Sequence, residues 1–176
     1  EVIRHSRNLG YGAAIRSLLQ RALEINADIA VTLDADGQHE PKYIPMLIQP
    51  LLNEEADIII GSRFLTKTRI PKYREIGIKI ISKLFNKIVK TNITDAQSGF
   101  RAYNRKALQV ILPNLSETGM GSSLQILIII KKFNLRMKEV PISVRYNVER
   151  PSTKNPLLHG AEVVITLMRE IIISNP

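Results

Sequence analysis

The sequence contains no cysteine and no tryptophan among its 176 residues. The missing cysteines exclude disulfide bridges and thiolate metal ligands, and they leave the redox compartment open. Aromatic residues make up only 5% of the chain, so few rings are present on which nucleic-acid bases would stack. We therefore expect no nucleic-acid partner.

Long apolar runs are also missing. The two longest are residues 124–130 and 161–174, and Arg169 and Glu170 interrupt the second. A membrane-spanning helix needs about 20 apolar residues, so neither run predicts one. No secretory signal or targeting peptide is visible.

The composition that is present is that of a globular protein. Apolar residues make up 44% of the chain and charged residues 23%, which is ordinary for one domain with a core of its own. We expect residues 1–176 to form a single domain. The net charge of +9 favours anionic partners, such as acidic lipid headgroups or phosphorylated substrates, over cationic ones.

Strand and helix patterns alternate along the chain. Short apolar runs predict strands at 1–6, 28–34 and 56–64, and helical spacing predicts helices at 10–26 and 41–54. This alternation predicts an α/β sheet. The remaining patterns predict helices at 76–90, 121–134 and 155–174, an extended segment turning into a helix at 98–108, and a proline-containing edge strand at 136–148.

Two carboxylates, Asp34 and Asp36, follow the apolar run Val31–Leu33. Residues i and i+2 of a strand project to the same side, and two carboxylates so placed repel each other unless a cation or donors lie nearby. Oxygen ligands suit Mg²⁺ or Mn²⁺, which also bind substrate phosphates. Gln38 adds a neutral oxygen, and His39 is either a further ligand or, the reading we favour, a packed turn residue.

Three other interpretations of this stretch compete with a metal site. A polar Asp-Gly turn that caps the next helix needs no ligand at all. A calcium loop would need a closing glutamate about twelve residues on, and this interpretation fails because Pro45 stands there. A phosphatase with an aspartate nucleophile would need a second acidic pair after a later strand, whereas Asp95 is isolated.

Five stretches occur in the order and spacing of a known family. They are "NLGYGAA" (8–14), "LDADGQHEP" (33–41), "GSRF" (61–64), "DAQSGFRAY" (95–103) and "KEVPISVRY" (138–146). Together they resemble the family 2 glycosyltransferases, and most closely the type that includes dolichol-phosphate mannosyltransferases and polyprenyl-phosphate sugar transferases. The resemblance covers nearly the whole chain.

This resemblance implies a GT-A fold, a Rossmann-like and mostly parallel sheet with flanking helices. It also implies a nucleotide-sugar donor, Mg²⁺ or Mn²⁺, and transfer of a hexose to a polyprenyl phosphate with inversion at the sugar carbon. By the same resemblance, the metal ligands would be Asp34, Asp36 and Gln38, and the catalytic centre would contain Asp36, Asp95 and Arg101.

The resemblance also assigns residues to the two substrates. The donor diphosphate would be bound by Arg63 together with the loop residues Arg150, Ser152 and Lys154. The acceptor would be bound by Arg63, Ser98, Arg101 and Gln125. Simpler roles compete: a salt bridge for either arginine, a local cap for Ser98, and a solvated basic turn for residues 150–154.

The stretch from Arg63 to Lys90 carries nine Lys or Arg residues against one acid, Glu75. Within it, we expect the helix at 76–90 to be amphipathic. Its predicted apolar face consists of Ile80, Ile81, Leu84, Phe85 and Ile88, and its basic stripe of Lys79, Lys83 and Lys87. Such helices attract anionic membranes, which predicts peripheral binding at the cytoplasmic face. A packed helix with a solvated lysine stripe is the alternative.

The chain departs from the family pattern in two places. The family begins with a strand, a helix and a strand that carry a Pro-x-x-Asn-Glu and an Asp-Asp-Gly-Ser motif, and these motifs are absent, so we expect an N-terminally incomplete domain. Gln125 stands where a glutamate is frequent. Two other hypotheses stand beside the lipid-phosphate transferase. One is a polysaccharide, protein or small-molecule acceptor; the other is an inactive remnant or subunit that binds anionic membrane or a partner chain.

Overall fold

The computed structural model describes residues 1–66 and 70–146. Its strands are β1 (Ile29–Thr32), β2 (Ile58–Ser62), β3 (Arg101–Asn104) and β4 (Met137–Pro141). Its α-helices are α1 (Tyr11–Glu24), α2 (Ile44–Leu52), α3 (Lys72–Val89), α4 (Arg105–Asn114) and α5 (Ser122–Lys132). The predicted helix at 155–174 and the predicted diphosphate residues Arg150, Ser152 and Lys154 lie outside the described residues.

The four strands form one sheet in the order β1-β3-β2-β4. Strand β3 is antiparallel to both of its neighbours, with Thr32 opposite Arg101 and Ile59 opposite Ala102. Strands β2 and β4 are parallel. Three strands therefore point the same way, and β3 is inserted between them in the reverse direction. The predicted α/β fold is confirmed, as a mixed sheet with flanking helices.

The predicted first strand is wrong. Residues 1–6 adopt no strand, and the apolar side chains of Val2 and Ile3 are exposed. An extended segment becomes a strand only when a neighbour supplies hydrogen bonds to its backbone, and these residues belong to no strand ladder in the described sheet. The strand at 28–34 is correct, but it lies at an edge of the described sheet and is only half-buried.

The sheet separates two apolar clusters. Because neighbouring side chains of a strand point to opposite faces, Ile58 and Ile60 of β2 belong to a large cluster with residues of α1, α3, α4 and α5. Ile59, between them, belongs to a smaller cluster with Leu47 and Leu51 of α2. Helices thus cover both faces, and β2 is buried along its whole length, as its uninterrupted apolar run predicts.

Helix α3 begins four residues before its predicted start, at Lys72, and its apolar residues do not form one face. Ile81 and Phe85 are buried as predicted, together with Ile78. Ile80 and Leu84, predicted on the same face, are exposed instead. The helix has apolar residues on two sides, and only one of them packs against the core.

A buried carboxylate, that of Asp57, joins three strands at the end of the sheet where β2 and β4 begin. Asp57 accepts hydrogen bonds from the Arg136 backbone N–H at 2.9 Å and from the Asn104 amide at 3.0 Å. Burial by itself raises the pKa of Asp57, but these donors and the Arg136 side chain outweigh it and lower the pKa to about 2. Asp57 fixes the start of β2 and β4 and the end of β3, so its role is structural.

Candidate active site

The reversed direction of β3 brings four segments together at one edge of the sheet, the edge that is formed by the carboxyl ends of β1, β2 and β4. Strands β1, β2 and β4 end at this edge, whereas β3 begins there. The segments after the first three, residues 33–40, 63–66 and 142–146, therefore meet the segment 95–100 that precedes β3. The Arg145 backbone N–H donates to the Gln38 carbonyl at 3.0 Å, which closes one side of the site.

The two aspartates lie in a turn at this edge. The Asp36 side chain accepts from the Gln38 backbone N–H at 3.0 Å, and Gly37 adopts a φ of 79° that favours glycine. The Asp34 side chain is 41% exposed. Burial raises the pKa of Asp34, and the charge of Asp36 raises it further. The Asp36 charge therefore acts on Asp34, and both side chains are partly exposed to solvent.

His39 behaves as a packed turn residue. Its ring is buried and lies 5.2 Å from the ring of Phe100. Its Nδ1 accepts the Asp34 backbone N–H at 3.3 Å, which places the proton of a neutral ring on Nε2. Burial lowers the pKa of His39, although Asp34 opposes this. The buried ring, stacked near Phe100 and bonded to the backbone of its own turn, therefore fits a packed turn residue better than a metal ligand.

The donor set fits a hard divalent cation that is shared with a ligand. Asp34 and Asp36 supply carboxylate oxygens, and in the described residues no group of three or more acidic or histidine side chains forms a complete cage. Mg²⁺ and Mn²⁺ commonly bind in this way, through one or two carboxylates plus water and substrate phosphate. Gln38 is buried, and its role as a third ligand stays a prediction.

A buried ion pair lies beside the aspartate turn. Arg63 Nε and Nη2 donate to the two carboxylate oxygens of Asp95, each at 2.7 Å, and the Arg63 backbone N–H donates to the same carboxylate at 3.2 Å. The burial of Arg63 lowers its pKa, but the Asp95 charge outweighs this and raises it overall. Tyr146 also interacts with this guanidinium and raises its pKa further. The predicted role of Arg63 in phosphate binding stays a prediction.

Glu139 of β4 supports this pair, and sequence reasoning missed it. It accepts from the backbone N–H groups of Thr94 at 2.8 Å and of Asp95 at 2.9 Å, and also from the Thr94 hydroxyl. Burial raises the pKa of Glu139. The only sequence signal was a glutamate within "KEVPISVRY", where alternation along an edge strand assigns such a residue to solvent.

Arg101 is buried and bound internally. Its Nη1 donates to the Ser123 carbonyl at 2.8 Å, and its Nη2 donates to the Ala96 carbonyl at 2.9 Å. Nε finds no acceptor in the described part of the chain. Arg101 lines a cavity of about 10 Å³ together with Tyr11 and Thr32, which is room for about one water molecule. Its predicted contact with substrate stays a prediction.

Two residues that are predicted to bind the acceptor substrate form hydrogen bonds within the protein. The buried Ser98 hydroxyl accepts from the Phe100 backbone N–H at 3.3 Å, as a local cap would. The side-chain carbonyl of Gln125 accepts from the backbone N–H groups of Ser116 at 3.0 Å and Glu117 at 2.8 Å. These contacts shape the loops around the site, and the acceptor-binding role of both residues stays a prediction.

The loop that Gln125 holds packs on the start of α1. The Gly12 backbone N–H donates to the Thr118 carbonyl at 2.7 Å. A Cβ atom at Gly10 would lie 2.4 Å from that carbonyl oxygen, and one at Gly12 would lie 2.3 Å from the carbonyl oxygen of Glu117. The glycines of "NLGYGAA" therefore permit close contact between a loop and a helix, in addition to making the tight turn that the sequence predicts.

Fold and site together define a class of protein. An α/β sheet with paired carboxylates beyond the carboxyl end of a strand, next to a buried arginine, is an arrangement suited to phosphorylated ligands. Residues 1–112 match the family described as Glycosyl transferase family 2. The chain belongs to this family.

Several curated relatives are named as transferases to lipid phosphates. The chain is 36% identical over 169 residues to the UDP-N-acetylglucosamine–dolichyl-phosphate N-acetylglucosaminyltransferase of Methanococcus voltae, and this match covers 93% of the chain and 64% of the relative. It is 29% identical to the undecaprenyl-phosphate mannosyltransferase of Micrococcus luteus, covering 96% and 70%. It is 31% identical to the dolichol-phosphate mannosyltransferase of Pyrococcus furiosus, covering 81% and 40%.

Solved structures confirm the fold. Glucosyl-3-phosphoglycerate synthase from Mycobacterium tuberculosis, in complex with Mn²⁺, UDP and glucosyl-3-phosphoglycerate, superposes with a TM-score of 0.68 at 21% identity. The match covers 97% of the chain and 57% of that structure. The chain thus spans little more than half of this neighbour and less than two thirds of the Methanococcus relative.

Proposed function

We propose that this protein is a metal-dependent inverting glycosyltransferase that moves a hexose from a nucleotide-sugar to a polyprenyl phosphate. The observation that carries the proposal is the partly exposed pair Asp34 and Asp36 at the edge of the sheet, within electrostatic reach of Arg63. The family membership and the names of the relatives support the reaction type and the acceptor. The Mn²⁺ and UDP bound by the structural neighbour support the cofactor and the donor class.

Each residue has a distinct task in this proposal. Asp34 and Asp36 would hold Mg²⁺ or Mn²⁺ against the donor diphosphate. When bound, the ion supplies Lewis-acid stabilisation of the charge on the departing diphosphate. Asp95 fixes the guanidinium of Arg63, which would supply positive charge for a phosphate. A phosphate acceptor is already ionised near neutral pH, so the site needs no strong base.

The exposed side of α3 supports a lipid acceptor. Ile76 is 59% exposed and Ile80 is 60% exposed, and both lie on a side of the helix that also carries Tyr73 and Leu84. Exposed lysines flank this side at positions 72, 79, 83, 87 and 90. Apolar residues bordered by cations fit the surface of an anionic bilayer. In the described ranges, no helix has both the length and the hydropathy of a membrane span.

The charged border of α3 gives a prediction. Lys83→Gln combined with Lys87→Gln should weaken binding to vesicles of phosphatidylcholine and phosphatidylglycerol, because each cation near such a surface contributes about 1 kcal/mol. We expect a loss of roughly tenfold or more, measured by co-sedimentation. Lys131→Gln combined with Lys132→Gln makes the same charge change at the end of α5 and should have a small effect. Equal losses for both pairs would contradict a role for α3.

A transfer assay tests the function itself. The protein is incubated with UDP- and GDP-sugars and either a short polyprenyl phosphate or free sugar acceptors. We expect a lipid-linked product that disappears with EDTA and returns with Mn²⁺ or Mg²⁺. Product on sugar acceptors alone would favour a polysaccharide or small-molecule acceptor over a lipid phosphate. Absence of nucleotide binding with Mn²⁺ in calorimetry, with vesicle binding retained, would favour an inactive membrane-binding subunit.

A further inference from the structure

Gly99 lies directly beneath the carboxylate of Asp34. A Cβ atom at position 99 would stand 2.7 and 3.0 Å from the two Asp34 carboxylate oxygens and 3.1 Å from Cγ. The backbone conformation does not require glycine here, because the positive φ values among the described glycines belong to Gly10 and Gly37. What glycine leaves open at position 99 is therefore space, and the group that takes this space is the carboxylate of a proposed metal ligand.

The neighbouring contacts hold Gly99 in place. The Thr32 hydroxyl donates to the Gly99 carbonyl at 3.0 Å, which ties the segment before β3 to the end of β1. On the Asp34 side, His39 Nδ1 lies 3.9 Å from carboxylate oxygen Oδ2. The Asp34 carboxylate thus rests on the bare Cα of Gly99 and is flanked by the ring of His39, which belongs to the same turn as Asp34.

We propose that Gly99 is a positioning residue, whose missing side chain sets the place of the Asp34 carboxylate for metal binding. This inference rests on the proposed function for the identity of the ligand. An alanine at position 99 would force the carboxylate to retreat by roughly 0.5 Å, which is the scale at which a functional site loses its geometry. Mg²⁺ demands near-ideal octahedral geometry at metal–oxygen distances of about 2.0–2.1 Å, so a displaced carboxylate should bind it less well.

Mn²⁺ titration of Gly99→Ala tests the proposal. The free ion is measured by electron paramagnetic resonance, with Mn²⁺ alone and with Mn²⁺ plus UDP, and thermal unfolding is recorded on the same samples. We expect affinity for Mn²⁺ to fall about tenfold or more, with the unfolding temperature changed by a few degrees at most. Unchanged affinity would overturn the proposal.

Gly77→Ala is the matched control. A Cβ atom at Gly77, in α3, would meet nothing within 4 Å, so this substitution should leave Mn²⁺ affinity unchanged. It should also raise the unfolding temperature slightly, because alanine favours a helix over glycine. A loss of affinity in both variants would contradict a specific role for position 99.

A double variant keeps the test decisive if Gly99→Ala folds poorly. The three nearest atoms to the added Cβ all belong to Asp34, so Asp34→Ala should remove the clash. We expect Asp34→Ala/Gly99→Ala to unfold at the same temperature as Asp34→Ala. If the double variant is still destabilised, the alanine clashes elsewhere and the inference is wrong. This stability comparison needs no metal, so it holds even if the wild type binds neither Mn²⁺ nor UDP and the proposed function fails.

Discussion

Asp95→Asn is expected to destabilise the protein by about 3 kcal/mol. Asp95 is fully buried, and Arg63 keeps only 14% of its side chain exposed. The substitution leaves the guanidinium charge without its partner, and it turns an amide group toward donors that need an acceptor. For a chain of this size, the unfolding temperature should fall by roughly 6–12 °C, as measured by calorimetry.

Glu55→Gln is the control for this prediction. Glu55 pairs with Lys138 at 2.6 Å, but both side chains are nearly half exposed, and exposed pairs contribute little to stability because water and salt screen them. Arg63→Gln combined with Asp95→Asn should cost less than the sum of the two single changes, because neither charge remains buried alone. If Asp95→Asn costs no more than Glu55→Gln, the ion pair does not hold this edge of the sheet together.

The sequence predicts most elements of the fold because apolar spacing reflects local burial. The uninterrupted apolar run at Ile58–Ile60 gives a strand that is buried on both faces, as found. The helical spacing of Ile15 and Leu19 gives α1 and its buried side. Such patterns need information only from within one element, and single-element periodicity carries it.

Pairing between strands lies beyond such patterns. The reversed insertion of β3 between β1 and β2 depends on which edges meet in space, and the run "FRAY" shows no direction of its own. The exposed Ile80 of α3 has the same cause. Its spacing is compatible with two sides of the helix, and the core selects only the one with Ile81 and Phe85.

The site shows the same division between local and long-range information. The pair Asp34 and Asp36 is visible in the sequence because both residues follow one strand. Glu139 and Gly99 are far from it in sequence, and they act through a backbone hydrogen bond and an absent side chain. Both contacts join segments that are distant in the sequence, so no periodic pattern within one element predicts them.

Asp34→Asn is expected to abolish metal-dependent nucleotide binding without harming the fold. The change removes one of two carboxylates proposed to hold the ion, so affinity for Mn²⁺ with UDP should fall by about 100-fold or more. In metal-free buffer, the variant should be as stable as the wild type or slightly more so, because the repulsion from Asp36 disappears. Calorimetric titration and thermal unfolding, each with and without Mn²⁺, measure both effects.

A loss of Mn²⁺ affinity without a loss of metal-free stability distinguishes a metal site from a structural turn. Asp28→Asn is the control, because it makes the same chemical change just before β1. The Asp28 side chain is 93% exposed and pairs with Arg105. This variant should bind Mn²⁺ as the wild type does, and Mn²⁺ should raise its unfolding temperature by the same amount. If the aspartates only shaped the turn, Asp34→Asn would lower the stability of the metal-free protein. Addition of Mn²⁺ would then leave the unfolding temperatures of wild type and variant equally unchanged. That result would remove the basis for a transferase that uses a metal ion.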